Sequence, residues 1–232
     1  MSFLDDVLQE QYTVVKVYKN TEEKSIVLLR HKELGRDIIC RKYHGNYDGY
    51  RVLRGISFPL LPRVYEVVAD GDSVTVLEEF VSGATVADIL TGGLYNEKGV
   101  RKVAVSLCDA LSVIHKEGIV HRDIKPENVM ITDSGAVRLM DFDASRLFKE
   151  GRSADTRIIG TAGYAAPEQF GLAQSDERTD IFSLGVLMNV MLTGEHPSKK
   201  LYKGKLTKII EKCLQLDPNK RYQTAEELKK EL

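Results

Sequence analysis

Asp123 and Asn128 stand five residues apart in His121-Arg122-Asp123-Ile124-Lys125-Pro126-Glu127-Asn128, and Asp141 follows thirteen residues later. Two carboxylates and an amide offer the oxygen atoms that a hard divalent cation prefers. Lys125 adds a positive charge two residues after Asp123. Moving a phosphoryl group needs little more than this. It needs oxygen ligands for Mg²⁺, a carboxylate beside the accepting hydroxyl and positive charge on the phosphates. A loop carrying Asp123 and Asn128, with Asp141 on the next turn, can gather such groups round one nucleotide.

These residues need a frame. The first third of the chain reads as strands. Tyr12 to Tyr18, Ser25 to His31, Asp37 to Tyr43, Val64 to Ala69 and Ser73 to Phe80 are short runs rich in Val and Ile, split by polar turns. Asp70-Gly71-Asp72 is a strong hairpin turn. A short, weak helix is expected around Tyr47 to Arg54. The rest reads as helical. Val100, Val103, Ala104, Leu107, Cys108, Leu111 and Ile114 recur at three and four residues, and Gly118 is placed to end that helix. Val129 to Ile131 and Val137 to Met140 flank a further hairpin, so Asp141 lies just beyond it. Thr179 to Thr193 is apolar nearly all round, as a core helix is. Thr224 to Glu227 opens the last helix with a capping box.

Composition narrows the class. The chain has 232 residues, 43% hydrophobic and 29% charged, with a formal net charge of −1. No broad basic surface points to nucleic acid or an anionic membrane. Cys40, Cys108 and Cys213 are widely spaced and form no CxxC pair, so three buried thiols in a reducing compartment are expected. Residues 1–11 are acidic without an apolar core, unlike a signal peptide. Ile181 to Leu192 is too short to span a bilayer, which takes about 20 residues. A cytoplasmic protein without a membrane partner is the expectation.

The motifs resemble those of the eukaryotic-type serine/threonine protein kinases, in particular compact bacterial members. The matching residues are His121 to Asn128, Asp141-Phe142-Asp143, Gly160 to Glu168, Asp180 with Ser183-Leu184-Gly185, and Leu216-Asp217-Pro218 to Arg221-Tyr222. Order and spacing both fit, from about Tyr12 onward. The resemblance implies an α+β, bilobal kinase-like fold. An antiparallel sheet lobe would cover residues 1–81 and a mainly helical lobe residues 82–232, with the boundary near Val81 to Gly83. It implies ATP and Mg²⁺ as cofactors and a serine or threonine of a protein as acceptor. Asp123 would accept the hydroxyl proton, Lys125 would touch the γ-phosphate, and Asn128 and Asp141 would hold Mg²⁺. Asp180 would hold the catalytic loop, and Glu168 would pair with Arg221 to brace the substrate platform. Glu79 and Val81 would lie on the strand running into the hinge of the ATP site.

Three departures fall in the nucleotide site. The place of the glycine-rich phosphate loop reads Tyr18 to Ser25 and contains no glycine, which weakens backbone approach to phosphate. On the third strand, alternation favours Lys42 over Arg41 as the phosphate contact, the competing reading being a solvated strand lysine. The lysine's usual helix glutamate is replaced by Gly49, next to Asp48. Glu78 then stands as gatekeeper, and a pair between Glu78 and Lys42 is expected in place of the helix glutamate. The third departure is Asp143, where the metal-binding triplet usually ends in glycine. Beyond the core helix, only Ser198 to Lys205 precedes the next helical run, so the family's substrate-docking helix is missing or one turn long.

A pseudokinase scaffold and a small-molecule kinase of the aminoglycoside type are the competing classes. Intact Asp123, Lys125, Asn128 and Asp141 oppose the first, and the Gly160 to Glu168 platform opposes the second. Regulation is expected from a protein partner or from autophosphorylation. Arg122 would bind a phosphate on the activation segment, which holds Ser153, Thr156 and Thr161. Thr156 is the expected phosphosite, because Thr161 sits where the family uses the hydroxyl to contact Asp123 and Lys125; a plain solvated loop is the rival. Mass spectrometry after incubation with Mg-ATP should find phosphate between Ser153 and Thr161, and an unmodified segment would reject the assignment.

Overall fold

Alternation of apolar and polar residues in the first eighty positions builds one antiparallel sheet. The structure, a computed structural model, describes residues 3–148, 161, 163–170 and 174–232. The chain divides into two compact units, one of residues 1–57 and 62–81, the other of residues 58–61 and 82–232.

The first unit opens with helix α1 (Phe3–Gln11). Strands β1 (Tyr12–Asn20), β2 (Lys24–His31), β3 (Asp37–His44), β4 (Val64–Asp70) and β5 (Ser73–Glu79) form its sheet, in the order β1-β2-β3-β5-β4. They match the five expected runs to within two residues. Asp70 pairs with Ser73, and Gly71 takes a φ of 58° in the turn between them, which an L side chain adopts only with strain. Helix α2 (Asp48–Leu53) falls where the weak helix was expected.

Strand β3 sorts its side chains between the two helices. Ile38 and Cys40 join Leu29 and Leu8 of α1 in one apolar cluster, with Leu4 packed against it. Arg41 and Tyr43 instead face Tyr50 of α2: the guanidinium lies 5.9 Å from the Tyr50 ring and the two tyrosine rings 6.2 Å apart. Helix α1 was not legible in the sequence. Its inward face rests on Leu4 and Leu8, one turn apart, among acids and glutamines. The sheet completes it. Lys32 donates to the carbonyls of Gln9 at 3.1 Å and Glu10 at 2.6 Å, satisfying acceptors that a helix C-terminus leaves open.

The second unit contains strand β6 (Gly83–Thr85), helices α3 (Val86–Gly92) and α4 (Glu97–Lys116), then strands β7 (Ile119–Val120), β8 (Val129–Thr132), β9 (Val137–Leu139) and β10 (Arg146–Leu147). Helices α5 (Glu177–Thr193), α6 (Thr207–Cys213) and α7 (Ala225–Glu231) complete it. Strands β6, β8 and β9 form one small sheet, β7 and β10 another. The whole predicted stripe of α4 is buried, and α5 is buried nearly all round. Gly185 lets α5 approach α6: a Cβ there would stand 2.5 Å from the Cys213 Cβ. Thr224 caps α7 by accepting from the Glu227 amide.

No helix separates α5 from α6 among the described residues, as the short spacer implied. Buried Asn189 organises that spacer instead. Its Nδ2 donates to the carbonyls of Glu195 and Lys200, both at 2.9 Å, and its Oδ1 accepts from the Tyr202 amide at 2.8 Å. Cys40, Cys108 and Cys213 are free and buried; burial pushes the first two thiols up to about 11 and about 12. Among the described residues, no helix is long and apolar enough to cross a membrane.

If α1 belongs to the sheet unit's core, Leu8→Ala should lower stability by about 2 kcal/mol, the low end for a buried leucine because its site is near the surface. Urea unfolding measures this, and an unchanged midpoint would mean that α1 is not part of the folded unit.

Candidate active site

The loop from His121 to Asn128 begins where β7 ends. His121 and Arg122 donate their amides to Oδ2 and Oδ1 of Asp180, each at 2.8 Å. Asp180 is fully buried in the first turn of α5. The His115 ring of α4 donates to Oδ2 from Nε2 at 2.8 Å. Burial pushes the Asp180 carboxyl up, but the His115 hydrogen bond, the nearby His115 and His121 rings and the Arg122 amide outweigh it and hold it below the usual carboxylate range. The other end of the loop is tied by His121, whose Nε2 donates to the Met140 carbonyl at 3.1 Å while its Nδ1 accepts from the Asp123 amide at 3.3 Å. Arg122 takes a φ of 69° and Asp141 a φ of 62°. These are the only non-glycine residues with positive φ among those described, and such backbone persists only where surroundings impose it.

The loop turns back on itself through a short 3₁₀ turn, Pro126–Asn128. Asn128 donates from Nδ2 to the Asp123 carbonyl at 2.8 Å and to Asp123 Oδ2 at 2.9 Å. Lys125 Nζ donates to Asp123 Oδ2 and to Thr161 Oγ1, both at 2.7 Å. Thr161 Oγ1 donates to Asp123 Oδ1, also at 2.7 Å. Asp123, Lys125 and Thr161 therefore close a ring, with the carboxylate anchored on both oxygens. The β8–β9 hairpin brings Asp141 to this loop, because the Met140 amide donates to the Asn128 carbonyl at 2.8 Å. The Asp143 amide donates to Asp141 Oδ1 at 3.4 Å. The unusual backbone of the triplet lies at Asp141 rather than at Asp143.

The platform after the activation segment is braced as expected. Glu168 accepts two bonds from Arg221, at 2.7 and 2.9 Å, and one from Thr179 Oγ1 at 2.9 Å. Gln169, which sequence reasoning passed over, donates to the buried Arg122 carbonyl at 2.9 Å and accepts from the Ala166 amide at 2.9 Å. A buried glutamine beside a motif gives no sequence signal for such a bridge. Ser153, Thr156, Gly160 and Ala162 lie outside the described residues.

The sheet unit corrects one expectation. Glu78 does not pair with Lys42. It accepts from Arg41, at 2.8 Å from Nη2 and 3.2 Å from Nε, and both side chains are about 95% or more buried. Lys42 pairs with Asp5 of α1 at 2.5 Å and keeps 42% of its side chain exposed. The reason is the face each residue occupies. Lys42 lies on the side of Ile38 and Cys40, under α1. Arg41 shares the α2 side with Glu78, which stands opposite Ile39 across the β3–β5 ladder. Alternation from Cys40 puts Lys42 on the face that α1 covers, which is why it does not reach Glu78. Helix α2 offers Asp48 as its acid, and Gly49 is buried. Glu79 holds Arg63 by backbone and side chain, and Val81 is buried.

A small antiparallel sheet, a helical unit and a loop that ties an aspartate to a lysine and an asparagine define a phosphotransferase of the kinase type. The protein kinase domain model matches residues 11–205, and the chain belongs to that family, with relatives of the serine/threonine type. It is 31% identical over 202 residues to a probable serine/threonine-protein kinase of Clostridium perfringens, covering 76% of this chain and 29% of that protein. A probable serine/threonine-protein kinase of Clostridium acetobutylicum is 32% identical over 254 aligned positions, covering 98% and 36%. The serine/threonine-protein kinase PknB of Mycobacterium leprae is 31% identical over 207 residues, covering 76% and 33%. The chain thus spans about a third of the length of these curated relatives.

Asp180→Asn should destabilise the protein by about 3 kcal/mol, because one oxygen becomes a donor facing a buried amide. The folded-state pKa of Asp180 is depressed, so its stabilisation is full above the ordinary carboxylate range and fades as pH falls through the folded value. Thermal unfolding against pH should show wild type converging on the variant in acid; a constant gap would contradict this.

Proposed function

We propose that this chain transfers the γ-phosphoryl group of ATP to a serine or threonine hydroxyl of a protein. The observation that carries the reading is the closed ring of Asp123, Lys125 and Thr161, with Asn128 on the same carboxylate. Such a ring fixes a base and a cation together, as positioning-dominated phosphoryl transfer needs. In this reading Asp123 orients the acceptor hydroxyl and takes its proton as the oxygen bonds to phosphorus and ADP leaves. Lys125 neutralises charge on the transferring group.

Asn128 and Asp141 fit a magnesium ion by donor chemistry. The Asn128 Nδ2 is spent on Asp123, which leaves its carbonyl oxygen for a hard cation. When bound, the ion screens charge on the phosphates. On the sheet unit we assign the phosphate-facing cation to Arg41, held by Glu78, and treat Lys42 as a structural residue of the α1 contact. A cytoplasmic location, a protein substrate and control by a protein partner or by autophosphorylation complete the proposal. The three free thiols support a reducing compartment.

Incorporation of label from γ-labelled ATP into a generic protein substrate tests it. Asp123→Ala should reduce the rate by about 10³-fold, the range of a lost general base, and equal signal from both proteins would reject the reading. Arg41→Ala should raise the KM for ATP about tenfold or more, the loss of a charged hydrogen bond, while Lys42→Ala changes it little. The reverse order would return the role to Lys42.

A further inference from the structure

The helical unit holds a second constellation that phosphoryl transfer does not require. A pocket of about 340 Å³ is lined by apolar Ile119, Val120 and Phe148 and by polar His115, Glu177 and Arg178. That volume suits a small molecule or one side chain. Asp123, Lys125, Asn128 and Asp141 are not among its lining residues.

His115 gives the pocket its chemistry. Its side chain is only 5% exposed. A carboxylate only accepts, so the 2.8 Å contact with Asp180 places a proton on Nε2. On the neutral ring Nδ1 then carries a lone pair. That atom is buried and has no hydrogen-bond partner. Its nearest acid oxygen, Glu177 Oε2, is 3.7 Å away, beyond hydrogen-bond length. Buried acceptors are rarely left without donors.

Glu177 lines the same pocket. Burial pushes its carboxyl up, and the neighbouring Asp176 and Glu226 carboxylates push the same way. Arg178 is committed elsewhere. It binds Asp176 at 2.6 Å and Asn219 at 2.7 Å, and reaches Gln223 at 3.3 Å. Asp176 and Glu177 bring two carboxylates to the lining against the one guanidinium of Arg178, so with a neutral His115 the lining carries an excess negative charge.

We propose that this pocket binds a cationic N–H donor, an ammonium or guanidinium group, which pairs with Glu177 and donates to His115 Nδ1. Ile119, Val120 and Phe148 suit the methylene stem that such groups carry. Admitting the donor needs a rotation of the Glu177 side chain, which is 42% exposed. Occupancy reaches the catalytic loop through two steps, from His115 to Asp180 and from Asp180 to the amides of His121 and Arg122. Binding stands apart from the kinase reading; an effect on turnover rests on it.

The test uses the whole chain labelled with ¹⁵N-histidine, without nucleotide, so an inactive kinase still reports. Putrescine and N-acetyl-arginine amide are titrated separately against sodium chloride of matched ionic strength. The His115 ring nitrogens, assigned with His115→Gln, are followed. The expected result is a saturable shift of Nδ1 with at least one probe, weakened about tenfold or more in Glu177→Gln, as for loss of one charged contact. Response to putrescine alone marks a free amine as ligand, and response to the blocked arginine alone marks a protein side chain; both support the site. No saturable shift with either probe, or equal affinity in Glu177→Gln with unchanged thermal unfolding, overturns it.

Discussion

A buried carboxylate at the start of α5 sets the geometry on which the helical unit depends. Asp180 accepts two backbone amides and a histidine ring. Burying an ion is costly, and only such complete hydrogen bonding offsets the lost hydration. The residues it fixes, His121 and Arg122, are those where the chain must enter the loop, and Arg122 does so with left-handed backbone. The positive end of the α5 dipole favours a carboxylate there. The nearly all-apolar surface of α5 holds that helix in the core, so the carboxylate cannot drift. Loop geometry thus follows from how a hydrophobic helix is packed.

The same logic runs outward. Gln169 ties the platform to the Arg122 carbonyl, and Glu168 with Arg221 ties it to the chain leading into α7. Thr161 joins the end of the activation segment to Asp123. Each link is a buried or half-buried polar bond whose partners come from distant parts of the sequence. Asn189 serves the segment between α5 and α6 in the same way, its side-chain amide bonding three backbone groups.

In the sheet unit, charge has been rearranged rather than lost. Helix α2 has no long acidic side chain, and Glu78 on β5 takes up the cation of β3. Because both partners sit on adjacent strands of one ladder, their alignment is set by the register between Ile39 and Glu78. A pair held that way does not wait on the position of a helix. Lys42, one residue on, is turned to the opposite face and fastens α1 through Asp5. That bond is partly solvated and contributes little by itself; the apolar contacts of Leu4 and Leu8 hold the helix.

Much of this was legible in the amino-acid order. Period-two runs and the Asp-Gly turn located five strands, and the stripe from Val100 to Ile114 located α4, because these patterns are local and repeat. The spacing of Asp123, Lys125, Asn128 and Asp141 located the candidate site, since a tight loop and a short hairpin leave few ways to arrange them. What sequence could not decide were contacts between side chains far apart in the chain. Helix α1 has too little apolar surface to be recognised until the sheet covers it. Which of Arg41 and Lys42 pairs with Glu78 turned on which face of β3 meets α1, and a one-residue difference reverses the face. The His115 edge beside Glu177 arises where α4 meets α5. Sequence by itself determined the strands, the core helices and the place of the candidate site loop from His121 to Asn128, because local periodicity and spacing suffice for them. The partners of Glu78, Lys42 and His115 were decided only by tertiary structure, because burial and packing select which charges can meet.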